Sequence, residues 1–216
     1  MPLLNSIISV ALAGLALSAT PGPSMLYVLS RSMGQSRAAG LASAVGLCLG
    51  GMLLAIATAM GLATIFANFS WLVTALRYAG SAYLIWLGVS MIRSASADAQ
   101  ANLEVGKVSR QPLHAIIWQG VLVELLNPKT VLFFALFLPP FVSAGGRAVE
   151  GSVQMQLLLL GVLVPLTAIP ADLFVASMGG TMAKTINRKK ALREKLAWVG
   201  GLVLIGIALN LLLEVL

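Results

Sequence analysis

Charged residues are scarce in this 216-residue chain. Only 10% of its residues are Asp, Glu, Lys or Arg, whereas a soluble domain averages about a quarter. By contrast, 59% of the residues are hydrophobic and the mean hydropathy is +0.95. A small water-soluble fold leaves much of its surface in water and could not bury so much apolar surface. The shortage of charge therefore excludes an ordinary soluble domain and predicts a protein embedded in a lipid bilayer.

Cysteine and histidine are scarcer still, since Cys48 and His114 are the only examples. One thiol cannot form an intrachain disulfide or a thiol–disulfide carrier, and Cys48 is predicted to be a small buried core residue. Soft metals need several Cys and His ligands, so no metal site is predicted. The chain also lacks a Ser-His-Asp set, an HExxH motif and a phosphate-binding loop. Neither an enzyme nor a cofactor is expected.

The charges that do occur are mostly basic, with a formal net charge of +7. They lie mainly in short gaps between apolar runs, which indicates membrane topology rather than nucleic-acid binding. No nucleic-acid partner is therefore predicted. The first basic residue is Arg31, so no basic region precedes the first apolar run and a secretory signal peptide is not expected.

Apolar runs of about 20 residues, each long enough to cross a hydrocarbon core of roughly 30 Å, recur along the chain. They cover residues 3–29, 41–66, 71–92, 115–142, 153–178 and 196–213. We therefore predict an all-α integral membrane protein with six transmembrane helices. Residues 1–93 would form a first three-helix repeat, residues 94–113 a cytoplasmic linker, and residues 114–216 a second three-helix repeat.

The distribution of positive charge predicts the orientation of these spans. Eleven of the fourteen Lys and Arg residues lie in the loops after the first, third and fifth runs. Because positive residues accumulate in cytoplasmic loops, these loops are predicted to be cytoplasmic and both termini periplasmic. The basic segment 179–195 is interpreted as a solvated loop that anchors the topology, with a regulatory or lipid-binding element as the alternative.

Proline-containing motifs interrupt two of the apolar runs. The interrupting residues are Thr20, Pro21, Gly22, Pro23 and Ser24 in the first run, and Asn127, Pro128, Lys129 and Thr130 in the fourth. Proline removes a backbone donor and clashes with the preceding turn. In hydrocarbon, each freed carbonyl needs a new partner or a wet cavity. The motifs therefore predict two broken helices beside a protein-lined cavity, with ordinary proline kinks as the alternative.

The two breaks fall in corresponding spans of the two halves. Three spans per half is an odd number, so the second half would start from the opposite side of the membrane. The halves would then form a 3+3 inverted repeat in which Pro21 matches Pro128. Paired interruptions of this kind point to the substrate site of a transporter. Thr20 and Asn127, beside the breaks, are candidates for binding substrate or for satisfying the broken backbone.

Ionisable residues also occur inside the apolar runs: Glu124 and Lys129 in the fourth, and Asp172 in the fifth. Each costs at least about 2.5–3.5 kcal/mol at the centre of a membrane helix, so such residues usually face the bundle interior and pair. We predict that Lys129 pairs with one carboxylate and that the other binds a substrate amino group or a proton. The sequence does not decide which of the two carboxylates pairs with Lys129. A static ion pair is the alternative, and Pro170 is expected to distort the helix that carries Asp172.

Three stretches of the chain resemble the LysE/RhtB family of bacterial amino-acid exporters. They are ATPGPSMLYVLSRSMGQSRAAGLASAVGLCLGG at 19–51, LRYAGSAYLIWLGVSMIRS at 76–94 and GVLVELLNPKTVLFFALFLPPFV at 120–142. The pairing of ATPGP with NPK at this spacing is the most specific part of the resemblance. The family often has Gln before the final Phe of the third stretch, where this chain has Pro140.

The resemblance implies export of amino acids or their derivatives across the bacterial inner membrane, driven by the proton motive force. Amino acids, protons and the lipid bilayer are the implied partners. The family's proline-containing motifs correspond to Pro21, Gly22, Pro23, Asn127, Pro128 and Lys129, while Glu124 and Asp172 remain the candidates for proton coupling. Dimerisation is suspected in the family, and the sequence neither supports nor excludes a homodimer. Export of metal cations or other small metabolites is the alternative function.

Overall fold

The computed structural model describes residues 4–19, 22–68, 70–100, 109–142, 150–188 and 190–213. Every regular element in these ranges is helical. The α-helices are α1 (Leu4–Ala19), α2 (Pro23–Gly34), α3 (Arg37–Asn68), α4 (Ser70–Gln100), α5 (Leu113–Leu125), α6 (Pro128–Leu132), α7 (Glu150–Arg188) and α8 (Lys190–Leu213). A π-helix at Phe133–Phe137 and a 3₁₀ turn at Pro139–Phe141 follow α6. The all-α prediction is confirmed for this part of the chain.

Length and apolar composition identify the helices that could cross a membrane. Arg37–Gly61 and Val153–Ser177 satisfy both criteria as single helices. Two bent pairs satisfy them together: α1 with α2, inclined by 52°, and α5 with Pro128–Phe141, inclined by 50°. Ala197–Asn210 is a shorter apolar helix. The described residues thus provide two spans, or four if each bent pair is one span, while the six-span inverted repeat stays a prediction.

Both proline motifs coincide with the start of a new helix. Pro23 and Pro128 each occupy the first helical turn of α2 and α6, where a missing N–H costs nothing and the fixed φ suits the helix. Gly22 precedes α2 in an extended conformation. The side chain of Asn127 caps α6 by accepting a hydrogen bond from the Lys129 N–H at 3.1 Å. The predicted interruption of two apolar helices is confirmed at these positions.

The bundle is organised around α3, which packs along both α5 and α7, while α4 packs along α8. Glycines allow the backbones to meet. A Cβ on Gly46 would lie 2.2 Å from the carbonyl oxygen of Ile117, and a Cβ on Gly50 would lie 2.7 Å from Cβ of Glu124. Small residues of this kind let membrane helices approach closely. As a result, α5 is held firmly against the middle of α3.

The fold corrects two predictions about the basic residues. Residues 179–188 continue α7 and residues 190–195 begin α8, so the basic segment is largely helical rather than a loop. The linker at residues 94–113 stays a prediction, since α4 runs to Gln100 and residues 101–108 lie outside the described residues. Arg31, assigned to a loop, lies within α2 and is only 9% exposed. Lys and Arg are good helix formers, so basic residues can extend a membrane helix into water.

The helix α7 contains two internal prolines. The sequence predicts a distorted helix at Pro170, which stays a prediction, and α7 passes through both Pro165 and Pro170 without ending. Membrane helices tolerate internal proline when neighbouring groups satisfy the freed carbonyls. Asp172 is therefore presented from a continuous helix, unlike Glu124 and Lys129, which flank a break.

Candidate functional site

A cavity of about 70 Å³ lies where the two helix breaks approach each other. That volume holds several water molecules, because about 10–15 Å³ of such space suffices for one. The wall is formed by Gly14, Leu17, Ser18, Gly22, Ser24, Met25, Leu47, Cys48, Gly51, Glu124, Asn127, Lys129, Thr130, Phe134, Val164, Pro165, Ala168 and Asp172. Polar groups from both breaks and from α7 thus share one space with apolar side chains.

Glu124, in the last turn of α5, connects the two breaks. Its Oε2 accepts a hydrogen bond from Ser24 Oγ at 2.5 Å, and its Oε1 accepts one from Thr130 Oγ1 at 3.0 Å. Ser24 lies in the first turn of α2, where the positive end of the helix dipole favours a carboxylate. Both carboxylate oxygens are therefore engaged by hydroxyl donors, and Glu124 holds α2 and α6 in register.

Asn127 reinforces the same junction. Its Nδ2 donates to Ser24 Oγ at 2.9 Å while its Oδ1 accepts the Lys129 N–H at 3.1 Å. Asn127 is 4% exposed, so its hydrogen bonds are shielded from water and costly to lose. The predicted role of Asn127 in satisfying the broken backbone is observed, although the same side chain also lines the cavity.

Lys129 reaches across to the other broken helix. Its Nζ donates to the carbonyl oxygen of Leu17 at 2.9 Å. Leu17 is among the last four residues of α1, whose carbonyls have no partner within the helix. A cation is favoured at this negative end of the helix dipole. Tyr83 of α4 fixes the lysine backbone by donating its hydroxyl to the Lys129 carbonyl at 3.1 Å.

Asp172 enters the cavity from α7 on the opposite side. Among the described residues, none donates a hydrogen bond to its carboxylate. The two acids of the site therefore differ. Glu124 is held by two hydroxyls, whereas the Asp172 carboxylate is turned toward the cavity with room for a ligand or a proton.

The remaining wall is apolar and contains residues that sequence reasoning missed. Met25, Leu47, Phe134 and Val164 supply most of it. Cys48, predicted to be a buried core residue, is instead half-buried and lines the cavity. No sequence signal marks these side chains as wall residues, because which face of α3 or α7 meets the breaks depends on packing. Thr130 also lines the cavity, and the sequence did mark it, because it belongs to the proline-containing motif of the fourth apolar run.

The structure brings most of the predicted site residues together. Gly22, Ser24, Glu124, Asn127, Lys129 and Asp172 line the cavity. Pro23 and Pro128 begin α2 and α6 without lining it, and Thr20 and Pro21 lie outside the described residues. Within the described ranges, no three His, Cys, Asp or Glu side chains are grouped as a metal site would require.

Comparison with known proteins defines the class to which this arrangement belongs. Residues 15–215 match the family model described as "LysE type translocator". The match covers nearly the whole chain, so the protein belongs to the LysE type translocator family. This family assignment confirms the resemblance found in the sequence, and it makes the chain a multi-pass membrane transporter for small molecules.

Named relatives extend the assignment. An uncharacterized membrane protein of Pseudomonas aeruginosa, PA4757, is 30% identical over 88% of this chain and 87% of its own length. A leucine efflux protein of Klebsiella pneumoniae is 24% identical over 88% and 87%. A homoserine/homoserine lactone efflux protein of Salmonella typhimurium is 29% identical over 86% and 79%. No solved structure matches the chain.

Proposed function

We propose that the protein exports amino acids or amino-acid derivatives from the cytoplasm across the bacterial inner membrane by proton antiport. The observation that carries the proposal is the cavity in which Glu124, Lys129 and Asp172 meet between two broken helices. Relatives named as leucine and homoserine efflux proteins support the substrate class. Transport rather than catalysis is the proposed activity, and no cofactor takes part.

The polar wall suits the charged end of an amino acid. The Asp172 carboxylate would receive the substrate ammonium group, because hydrogen bonds between charged partners are the strong ones. The substrate carboxylate would lie toward Lys129 and toward the N-terminal turn of α2, where backbone N–H groups favour an anion. The apolar side chains Met25, Leu47, Phe134 and Val164 would face the substrate side chain.

Proton coupling is assigned to exchange at Asp172. A proton taken up from the periplasm would neutralise Asp172 after the substrate has left. Release of that proton to the cytoplasm would restore the carboxylate, which then binds the ammonium group of the next substrate. Each cycle moves one proton inward for one amino acid outward. Glu124 is proposed as the positioning acid that keeps Ser24 and Thr130 in place, with its own protonation as the alternative coupling step.

The topology of the proposal follows the positive charges. The helix ends that carry the basic residues would face the cytoplasm, with both termini in the periplasm and residues 1–93 and 114–216 as inverted halves. Thr20 and Pro21, which belong to the first proline motif of the sequence, are kept as proposed site residues. A homodimer stays a prediction.

Uptake into inverted membrane vesicles tests the function. Labelled leucine, threonine, homoserine and lysine would each be offered with an imposed pH gradient, with and without a protonophore. We expect at least one to accumulate and the protonophore to abolish its accumulation. Accumulation of none of the four would contradict the proposal and favour a metal cation or another metabolite, although the described residues provide no cluster of metal ligands.

A further inference from the structure

Three side chains of α2 and its C-cap form hydrogen bonds to the segment 109–119. Tyr27 and Arg31 are four residues apart and lie above one another along α2, and Gln35, four residues further on, is the C-cap of that helix. We call these three residues and their partners Ser109, Gln111, Ile116 and Gln119 the latch. The latch lies apart from the cavity, and none of its residues was singled out as a site.

Arg31 is the centre of the latch. Its Nη1 donates to the carbonyl oxygen of Ser109 at 3.1 Å, and its Nη2 donates to Gln119 Oε1 at 2.6 Å. The guanidinium carbon also lies 5.7 Å from the ring centre of Tyr27, a cation–π distance. Arg31 is only 9% exposed, and within the part of the chain that the structure describes its guanidinium is held by uncharged acceptors.

The other latch residues add bonds at either side of Arg31. Tyr27 donates its hydroxyl to the carbonyl oxygen of Ile116 at 2.7 Å. Gln35 and Gln111 pair reciprocally: Gln35 Nε2 donates to the Gln111 carbonyl at 2.6 Å, and the Gln111 N–H donates to Gln35 Oε1 at 3.0 Å. All of these bonds are made by side chains, so they can break without unwinding either helix.

An apolar plug separates the latch from the cavity. Val28 and Leu29 of α2, Leu47 of α3, and Val175 and Ala176 of α7 form a buried cluster. Leu47 also belongs to the cavity wall. Arg31 is seven residues beyond Ser24, or about 10 Å along a helix axis. The plug and the latch therefore close the end of the cavity that points toward residues 31–37 and 109–112.

The structure assigns to α2 the role of a gate through which substrate reaches the cavity, with the latch holding the gate shut in this conformation. The inference rests on the proposed function. α2 pivots at the first break, where Gly22 is extended and α1 is inclined by 52°. The ends of α5 stay fixed against α3. Rupture of the latch would swing the C-terminal end of α2 away from α5 and open the plug.

Cys48 is a native reporter for the gate, because it is the chain's one cysteine and lines the cavity. The double variant Tyr27→Phe/Gln35→Ala removes latch bonds but keeps Arg31. Ser30→Ala is the matched control, since Ser30 Oγ bonds to the carbonyl of Tyr27 in its own helix, at 2.8 Å, and so takes no part in the latch. A membrane-impermeant maleimide would be applied from either face of oriented vesicles, and the rate of Cys48 labelling measured.

We expect the double variant to be labelled at least roughly tenfold faster from the cytoplasmic face, since it loses three hydrogen bonds and each ordinary bond shifts an opening equilibrium by about a few-fold. Ser30→Ala should label like the wild type. An unchanged rate in the double variant, or an increase from the periplasmic face alone, would overturn the gate. The assay needs no substrate, so its outcome is independent of which amino acid is exported.

A reversible cross-link provides the complementary test. Gln35→Cys/Gln111→Cys, with the native Cys48 kept in every variant, places a thiol on each side of the latch. Oxidation should stop uptake into inverted vesicles and a reductant should restore it, while Gln35→Cys alone and Gln111→Cys alone should be indifferent to both treatments. Undiminished transport with the cross-link formed would show that α2 need not move.

Discussion

The two ends of α2 make different kinds of contact with α5 and the segment that precedes it. At the N-terminal end, Ser24 bonds to the Glu124 carboxylate beside the cavity of about 70 Å³. At the C-terminal end, the buried Arg31 bonds to the neutral oxygens of Ser109 and Gln119. The N-terminal end borders a cavity lined by both acidic and basic side chains, as a binding site for an amino acid needs. The second end has closed packing and reversible side-chain bonds, as a gate needs.

This difference shows why the helix is broken. An unbroken α1–α2 helix would have no free termini at membrane depth, so it could offer neither a carbonyl to Lys129 nor a first turn to Glu124. The break also releases α2 from the direction of α1 and lets its far end move. Binding and gating are therefore assigned to opposite ends of one short helix.

The largest expected effect is at the cavity end, for Asp172→Asn. The amide keeps the shape of the side chain but cannot exchange a proton. Loss of a charge-assisted bond to the substrate, worth about 1.5–3 kcal/mol, should lower gradient-driven export roughly tenfold to a hundredfold. Uptake into inverted vesicles with and without a pH gradient measures it, with Glu194→Gln of α8 as a control outside the cavity. If export by Asp172→Asn still depended fully on the pH gradient, Asp172 would not be the residue that couples proton movement to export.

Ser24→Ala should have the next largest effect. It removes the donor to Glu124 Oε2 and the acceptor for Asn127 Nδ2. A bond to a charged group contributes about 1.5–3 kcal/mol, so export should fall about tenfold and the melting temperature of the purified protein should drop. Ser30→Ala is the control, because Ser30 Oγ bonds to the Tyr27 carbonyl of its own helix and Ser30 is outside the cavity wall. Equal behaviour of the two variants would argue against Glu124 as the link between the breaks.

Gly46→Ala tests whether α5 is the fixed partner of both ends of α2. The added Cβ would lie 2.2 Å from the Ile117 carbonyl and 3.0 Å from the Gly120 Cα. Overpacking of this kind costs about 1–3 kcal/mol, measurable as a lower midpoint of thermal unfolding. Gly61→Ala is the control, since among the described residues no atom outside its own helix backbone lies within 4 Å of a Cβ added there. If Gly46→Ala were as stable as Gly61→Ala, α5 would not be anchored as described.

The smallest effect is expected at the latch end, for Tyr27→Phe alone. It removes the bond to the Ile116 carbonyl, worth about 0.5–1.5 kcal/mol, while the bonds of Arg31 and Gln35 remain. Labelling of Cys48 from the cytoplasmic face should rise a few-fold, with substrate specificity unchanged. A change in the rank order of exported amino acids would contradict the separation of gate and binding site.

Several features of the site could be predicted because their causes are local. Proline cannot continue a helix, so Pro23 and Pro128 mark the breaks wherever the chain folds. Glu124, Lys129 and Asp172 are costly in lipid, so they had to face the protein interior. The assignment of the charged segment 179–195 to a loop was wrong, because charge indicates contact with water but does not determine backbone conformation.

The sequence by itself determined the membrane environment, the helical class, the two breaks and the family, since each follows from composition or from short motifs. Tertiary structure alone decided that Glu124 bonds to Ser24 and Thr130, that Asp172 faces the cavity, that Cys48 lines it and that Arg31 is buried in a latch. These facts depend on which faces of α2, α3, α5 and α7 pack together. Helices that are apolar on nearly every side carry little sequence signal to choose those faces.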